Sequence, residues 1–200
     1  MRVGVLVSGA GTNLQAILDR VHGREGVEVV AVASDRPGAP ALQRAARAGV
    51  PTAEFPLAGD RPARDAAIAD FLDAHGVELV VLAGYMALLE PAFLARFPGR
   101  VINVHPALLP AFPGLRAIEQ ALDYGVKVFG VTVHFVDEGV DTGPVIAQRA
   151  IELPQAVDPA AVREALRPLE HDLLCETVRL IARGAVAMDP ARPRRVVVRR

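Results

Sequence analysis

Unbroken apolar segments alternate with segments of helical spacing along the first half of the chain. The apolar segments lie at 2–7, 27–33, 79–83 and 101–104, and a further short strand is predicted over 52–55. Apolar spacing predicts helices over 41–48 and 63–74, a helix that Asn13 could cap, and a short helix over 90–97 that begins with Pro91. Strands without polar alternation, separated by helices, are typical of a parallel sheet covered on both faces.

The pattern changes in the second half of the chain. Two strand-like segments, 127–136 and 145–153, flank the sequence DEGVDTGP, which indicates antiparallel strands. A long helical stretch follows over 160–183 and is predicted to be interrupted or kinked at Pro168. The ending, RPRRVVVRR, is predicted to be an exposed edge strand or tail. We therefore predict an α/β fold, doubly wound around a mostly parallel sheet, with antiparallel C-terminal strands and a long C-terminal helix.

Composition and charge narrow the class of protein. The 200 residues, 52% hydrophobic and 22% charged, fit a single domain over 1–200. A net charge of −1 gives no reason to expect binding to nucleic acid or to an anionic membrane. No apolar run reaches the roughly 18 residues of a membrane span, and the first one is too short for a secretory signal. Cys175 is the single cysteine, so we expect a cytoplasmic protein without an internal disulfide.

Three loops leave the carboxyl ends of predicted parallel strands, where open α/β sheets bind ligands. They cover residues 8–13, 84–89 and 103–114. The first contains SGAGTN, in which two glycines permit a tight turn just ahead of a helix N-terminus. That combination binds phosphate well, although a plain strand-to-helix turn has the same appearance. We expect the loop to hold a phosphate monoester through Gly11, Thr12 and Asn13.

Dinucleotide binding is the competing interpretation of the same loop. Gly9 and Gly11 begin a G-x-G pattern, and Asp35 follows the second strand, where an acidic residue would bind a ribose. Leu14, however, occupies the position of the third glycine, so the match is partial and weak.

The third loop places an amide and an imidazole together. Asn103 and His105 occupy alternate positions of a strand and therefore point to the same face. Such donors stabilise negative charge on a carbonyl oxygen, and histidine also carries protons near neutral pH. A structural histidine at a strand end is the alternative. Three prolines, at positions 106, 110 and 113, stiffen the segment that follows.

The DEGVDTGP segment supplies a candidate carboxylate, Asp141. Beside His105 it would favour the imidazolium form of that ring. An acidic, solvated turn is the alternative, and the segment matches neither an EF-hand loop nor a metal-ligand set, so we predict no metal. His134, within an alternating run, is predicted to be a strand or core histidine.

Three segments together resemble the folate-dependent formyltransferases: SGAGTNLQAIL, NVHPALLPAFPG and GVTVHFVDEGVDTGPVI. The resemblance extends from Val3 to about Ala185 and is greatest to the branch that acts on glycinamide ribonucleotide in purine biosynthesis. It implies a Rossmann-like formyltransferase fold with a phosphate-binding N-terminal half and a folate-binding C-terminal half. It also implies that 10-formyltetrahydrofolate, the co-substrate, gives its formyl group to the substrate amine through a tetrahedral intermediate.

The resemblance also implies roles for individual residues. Asn103 and His105 would stabilise the oxyanion, His105 would act as the acid, and Asp141 would keep His105 protonated. Glu170 would contact the ribose. The folate pocket would comprise Arg64, Met86, Ala87, Leu88, Leu89, Asn103, Val140 and Asp141. Two positions depart from the family pattern: Thr12 replaces a common serine, and Ala87 stands where a basic residue can occur.

Several alternatives remain open on sequence alone. A 10-formyltetrahydrofolate hydrolase would use water in place of the amine, but it and methionyl-tRNA formyltransferase normally carry an extra domain, for which 200 residues leave no room. An NAD(P)-dependent oxidoreductase would need the missing third glycine. A silent ligand-binding domain would not need the three candidate catalytic residues. The sequence leaves monomer and homodimer equally open.

Overall fold

A computed structural model describes residues 1–57 and 59–199. The chain divides into two compact units, Met1–Asn103 and the segment from Val104 onward. The elements of the first unit are β1 (Arg2–Val7), α1 (Thr12–Arg20), β2 (Glu28–Ser34), α2 (Pro40–Arg47), β3 (Thr52–Glu54), α3 (Arg61–Ala74), β4 (Leu79–Leu82), α4 (Pro91–Arg96) and the start of β5 (Val101–His105).

The strands of the first unit form a parallel sheet in the order β3-β2-β1-β4-β5. The chain starts in the middle of this sheet, winds outward to β3, and then returns to β4 on the other side of β1. Side chains of β1 and β4, such as Val5, Leu6 and Val80, have no exposed surface. Their unbroken apolar sequence is therefore the consequence of burial, as expected for parallel strands. The predicted doubly wound parallel sheet is confirmed.

The reversal of strand order lies between β1 and β4, where this architecture binds ligands. Two hydrogen bonds join the loops that follow these strands. Ser8 donates its N–H to the carbonyl of Gly84 at 3.2 Å, and its hydroxyl accepts the N–H of Met86 at 2.8 Å. The first two predicted ligand-binding loops are thus fixed to each other.

The second unit contains α5 (Ala117–Tyr124), β6 (Val128–Phe135), β7 (Val145–Glu152), α6 (Pro159–Ala182), β8 (Val186–Asp189) and β9 (Arg192–Val198). β6 and β7 pair antiparallel, as predicted, and α6 packs against both. The register shifts between Val133 and His134. β8 and β9 form a separate antiparallel pair.

The long C-terminal helix is confirmed, with a well-defined start. The Asp158 side chain caps α6 by accepting the N–H groups of Ala160 at 3.0 Å and Ala161 at 3.2 Å. The helix is a single element of 24 residues with Pro168 inside it, so it is not interrupted there, and a kink at this residue stays a prediction. None of the helices within the described part of the chain combines the length and apolar character needed to cross a membrane.

One further prediction differs from the structure, and two features of the fold were not predicted. α1 begins after Gly11, so Asn13 lies within the helix rather than at its cap. α5 was not predicted. The arginine-rich ending forms the mostly exposed strand β9, but in partnership with β8, a pairing that the sequence pattern does not reveal; its last residue, Arg200, lies outside the described residues.

Candidate active site

The turn before α1 requires glycine at position 11. Gly11 has a φ of 72°, and a Cβ there would lie 2.5 Å from Ala41 Cβ and 2.8 Å from its Cα. Tight packing against α2 therefore excludes a side chain. The first intrahelical bond runs from the Gln15 N–H to the Gly11 carbonyl at 2.9 Å. The N–H groups ahead of it belong to the helix start, and the positive end of the helix dipole favours an anion there.

Arg44 supports the same turn from α2. Its Nε donates to the carbonyl of Ala10 at 2.8 Å, and its Nη1 donates to Gln15 Oε1 at 3.1 Å. The loop therefore has a fixed shape, which favours binding of a compact anion such as a phosphate group.

The acidic residue of the dinucleotide interpretation is not available to a ribose. Asp35 is 1% exposed, and neither carboxylate oxygen has a hydrogen-bond partner within residues 1–57 and 59–199. Leu14 is also fully buried at the position of the third glycine. Both observations count against dinucleotide binding by this loop.

His105 lies at the end of β5 and is almost completely buried. Its ring Nε2 lies 2.9 Å from the carbonyl oxygen of Phe112, within the proline-rich segment. Phe112 adopts a φ of 54°, which turns the segment back over the imidazole. Asn103, two residues earlier on the same strand, is half-buried.

The loop that carries Asp141 is closed by its own side chains. Asp137 Oδ1 accepts the Thr142 hydroxyl at 2.6 Å and the Gly139 N–H at 3.2 Å. A Cβ at Gly143 would lie 1.8 Å from the carbonyl oxygen of Phe135. The loop therefore packs so closely against β6 that no side chain fits at position 143. Asp137 is thus structural, and the rigid loop fixes the position of Asp141.

Asp141 lies between two histidine rings. Its Oδ2 is 3.2 Å from His105 Nδ1 and accepts the Gly114 N–H at 2.8 Å. Its Oδ1 is 3.4 Å from His134 Nε2, and the Nδ1 of that ring lies 2.8 Å from the carbonyl oxygen of Phe135. The predicted proximity of Asp141 and His105 is therefore present in the structure.

The hydrogen bonds decide the charge of this carboxylate. Burial by itself would raise the pKa of Asp141, but the hydrogen bonds from His134 and Gly114, together with the nearby His105, lower it to about 2. Both acceptors around His105, a carboxylate and a carbonyl, can only receive hydrogens. A ring that carries a hydrogen on both nitrogens would donate to both acceptors.

His134 also contacts Asp141, and the sequence analysis missed this contact. It is a buried strand histidine, as predicted. β6 is buried at every position from Phe129 to Phe135, so its burial pattern does not distinguish His134, and the contact is not readable from spacing.

The loop after β4 presents two apolar side chains at the surface. Met86 is 58% and Leu88 is 55% exposed, whereas Tyr85 is buried, and this burial raises the pKa of its hydroxyl. Ala87 and Leu89 are partly exposed. A row of exposed apolar groups at the sheet edge suits the aromatic part of a ligand.

Arg64 supports this loop from α3. Its side chain is 8% exposed and donates from Nε and Nη2 to Asp65 Oδ1 at 2.9 and 2.7 Å. Nη2 also lies 3.4 Å from the Leu88 carbonyl, and Asp65 Oδ2 accepts the Glu90 N–H at 2.7 Å. In this structure the guanidinium binds the protein rather than an open surface.

The remaining predicted site residues belong to the second unit. Glu170 is half-buried on α6, and Val140 is 45% exposed beside Asp141. No group of three or more histidine, cysteine, aspartate or glutamate side chains suited to a metal ion occurs among the described residues.

The formyl transferase family model matches residues 1–178. The chain belongs to the formyl transferase family. Membership in the family implies a folate-type formyl donor. The sequence motifs on which the resemblance rests, from SGAGTN to DEGVDTGP, all lie within the matched region.

Individual members of the family are similar in sequence to this chain along most of their length. The phosphoribosylglycinamide formyltransferase of Mycobacterium tuberculosis is 45% identical over 190 residues, which are 94% of this chain and 87% of that protein. The enzyme of the same name from Bacillus subtilis is 40% identical, over 85% of this chain and 89% of its own. The crystal structure of glycinamide ribonucleotide transformylase 1 from Symbiobacterium toebii is 48% identical, with a TM-score of 0.94 over 99% of this chain and 93% of that one.

Proposed function

We propose that this formyl transferase moves the formyl group of 10-formyltetrahydrofolate to the amine of glycinamide ribonucleotide, the phosphoribosylglycinamide formyltransferase reaction of de novo purine biosynthesis. The products are formylglycinamide ribonucleotide and tetrahydrofolate. The observation that carries the proposal is the contact of His105 Nδ1 with Asp141 Oδ2 at 3.2 Å, at the end of a strand that also bears Asn103.

The reaction begins when the substrate amine attacks the formyl carbon. The carbonyl π electrons move to oxygen and create a tetrahedral oxyanion, which the side-chain amide of Asn103 and the imidazolium of His105 stabilise. The intermediate collapses by breaking the bond between the formyl carbon and N10. N10 leaves with a proton supplied by His105, and the attacking nitrogen loses one proton, which returns to His105 and restores its imidazolium form.

Asp141 contributes to the reaction through its contact with His105. Its low pKa of about 2 keeps it ionised at neutral pH, so that it orients the ring and stabilises the imidazolium. The rigid proline segment and the closed loop around Asp141 hold the donors in place, so little reorganisation accompanies the reaction.

Two features support glycinamide ribonucleotide as the acceptor. In the proposal the N–H groups at the N-terminus of α1, those of Gly11, Thr12 and Asn13, bind the phosphate, and Glu170 accepts hydrogen bonds from the ribose hydroxyls. An enzyme that used water as acceptor would have no need of this phosphate site. The transferase is therefore favoured over a 10-formyltetrahydrofolate hydrolase.

Formyl transfer from 10-formyltetrahydrofolate to glycinamide ribonucleotide tests the proposal in the wild type, His105→Ala and Asp141→Asn. Asp123→Asn, an exposed carboxylate on α5, is the matched control. We expect activity in the wild type and the control, and a loss of roughly 10²- to 10⁴-fold in the two site variants. Tetrahydrofolate release at the same rate without the acceptor would instead establish a hydrolase.

A further inference from the structure

The C-terminal strand β9 carries a bulge of three residues. Arg192 pairs with Asp189, and Val196 pairs with Met188, so positions 193–195 are inserted opposite a single step of β8. Pro193 suits this place because it has no N–H to give to the ladder. A bulge redirects the side chains that it carries, and bulges are common beside active sites.

Arg194, in the middle of the bulge, reaches the loop between β6 and β7. Its Nη2 donates to the carbonyl oxygen of Thr142 at 3.0 Å, across 52 positions of the sequence. β9 also packs against β7, the strand that follows this loop. Because Thr142 comes directly after Asp141, the contact connects the C-terminal hairpin to the candidate catalytic loop.

The backbone at Asp141 depends on such support. Asp141 has a φ of 53°, in the left-handed region that residues with a side chain seldom adopt. The next residue, Thr142, is held through its side chain, since its hydroxyl donates to Asp137 Oδ1 at 2.6 Å. A Cβ at Gly139 would lie only 2.0 Å from Thr142 Oγ1, so the loop packs closely around this hydroxyl. Arg194 holds the main chain of the same residue.

We propose that Arg194 is a positioning residue for formyl transfer: by binding the Thr142 carbonyl, it keeps the Asp141 carboxylate in place beside His105 Nδ1. This inference rests on the proposed function, in which Asp141 acts through His105. Arg194 acts only through the loop. Its contact lies at the exposed surface, so its effect on the rate is modest.

The test compares the wild type with Arg194→Met and Arg194→Lys. Methionine keeps an apolar stem but removes every donor, whereas lysine keeps a cationic donor for the carbonyl. Arg195→Met, at the neighbouring exposed arginine of the same bulge, is the matched control. The measurements are kcat, the KM of both substrates, the midpoint of urea unfolding and the titration of the Asp141 carboxyl by NMR, which needs no turnover.

For Arg194→Met we expect kcat to fall roughly three- to tenfold, with both KM values changed by less than about twofold, because a small displacement of a catalytic group lowers the rate. The pKa of Asp141 should rise from about 2 towards its ordinary value, since a looser loop weakens its hydrogen bonds. Arg194→Lys should recover most of the rate, and Arg195→Met should behave as the wild type.

Three results would overturn the inference. A raised KM of either substrate with kcat unchanged would mean that Arg194 binds a ligand instead. A lower unfolding midpoint with kcat and the titration unchanged would mean that it only stabilises the hairpin, and equal changes in Arg194→Met and Arg195→Met would mean that charge matters rather than the contact. A wild type without formyl transfer would overturn the proposed function, while the Asp141 titration would still decide whether Arg194 positions this carboxylate.

Discussion

Nδ1 of His105 lies 3.2 Å from Oδ2 of Asp141, and the same carboxylate oxygen accepts the Gly114 N–H at 2.8 Å. The second oxygen faces His134. Asp141 is thus held by partners on both sides before any substrate binds. Its ionised form is part of the folded state, and this has consequences for stability as well as for chemistry.

The first prediction concerns acid stability. The pKa of Asp141 falls from an ordinary 3.8 to about 2 on folding, so the folded state binds this proton less readily than the unfolded state. The stabilisation is fully present above about pH 4 and is lost as the pH falls towards 2, with a total of roughly 2 kcal/mol. Denaturant unfolding of the wild type and Asp141→Asn between pH 2.5 and 6 measures it. The stability difference between the two proteins should shrink by most of that amount at the acid end; a constant difference would contradict the prediction.

The second prediction assigns His134 to the positioning of Asp141. His134→Ala removes a hydrogen bond that lowers the carboxylate's pKa, so the pKa of Asp141 should rise, and kcat should fall by about tenfold. His134→Asn, which keeps a donor, should restore part of the activity. The measurements are kcat for each variant and the carboxyl titration by NMR. A loss of stability with kcat and the titration unchanged would make His134 a core residue only.

Sequence patterns predicted the parts of the fold that depend on burial alone. β1, β4 and β5 were found because each contains a run of consecutive buried apolar residues. α5 was missed because its buried face consists largely of alanine, with Ile118 the one large side chain, and so gives little periodic signal. Pattern reasoning detects large apolar side chains, not packing.

The site, like the fold, was predictable only where tertiary packing does not decide the outcome. His105 and Asp141 could be paired through the family resemblance, but the exposure of Arg64 could not be judged. It depends on Asp65, which accepts hydrogen bonds from Nε and Nη2 of the guanidinium, and on the Leu88 carbonyl, which lies 24 residues away along the chain. Likewise, Asn13 was predicted to cap α1 because asparagine is a common N-cap residue. The start of α1 is instead set by the close contact of Gly11 with Ala41. Tertiary contacts decide both cases.

The third prediction tests the phosphate loop. Gly11→Ala places a Cβ against Ala41 in a left-handed backbone conformation, so we expect a loss of about 2–4 kcal/mol and a raised KM for glycinamide ribonucleotide. Gly9→Ala is the control in the same loop, because a Cβ there meets no atom within 4 Å. Denaturant unfolding and KM for the acceptor measure the two effects. Equal results for the two variants would show that the close packing at position 11 has no special role.

The last prediction concerns the buried ion pair under the exposed apolar loop. Asp65, whose side chain is 2% exposed, binds the Arg64 guanidinium and the Glu90 N–H. Asp65→Ala leaves a buried cation without its partner, so we expect a loss of about 3–5 kcal/mol. The freed loop should also raise the KM of the formyl donor, while the KM of the phosphorylated acceptor changes little.

Asp70→Ala, on the same helix, provides the comparison. Its side chain is 73% exposed and pairs with Arg96 at the surface, so its removal should cost less than about 1 kcal/mol. Urea unfolding gives the two stability losses, and steady-state kinetics gives both KM values. If Asp65→Ala unfolds no more easily than Asp70→Ala, the Arg64–Asp65 pair does not hold the loop, and the Arg64 guanidinium is available to a ligand after all.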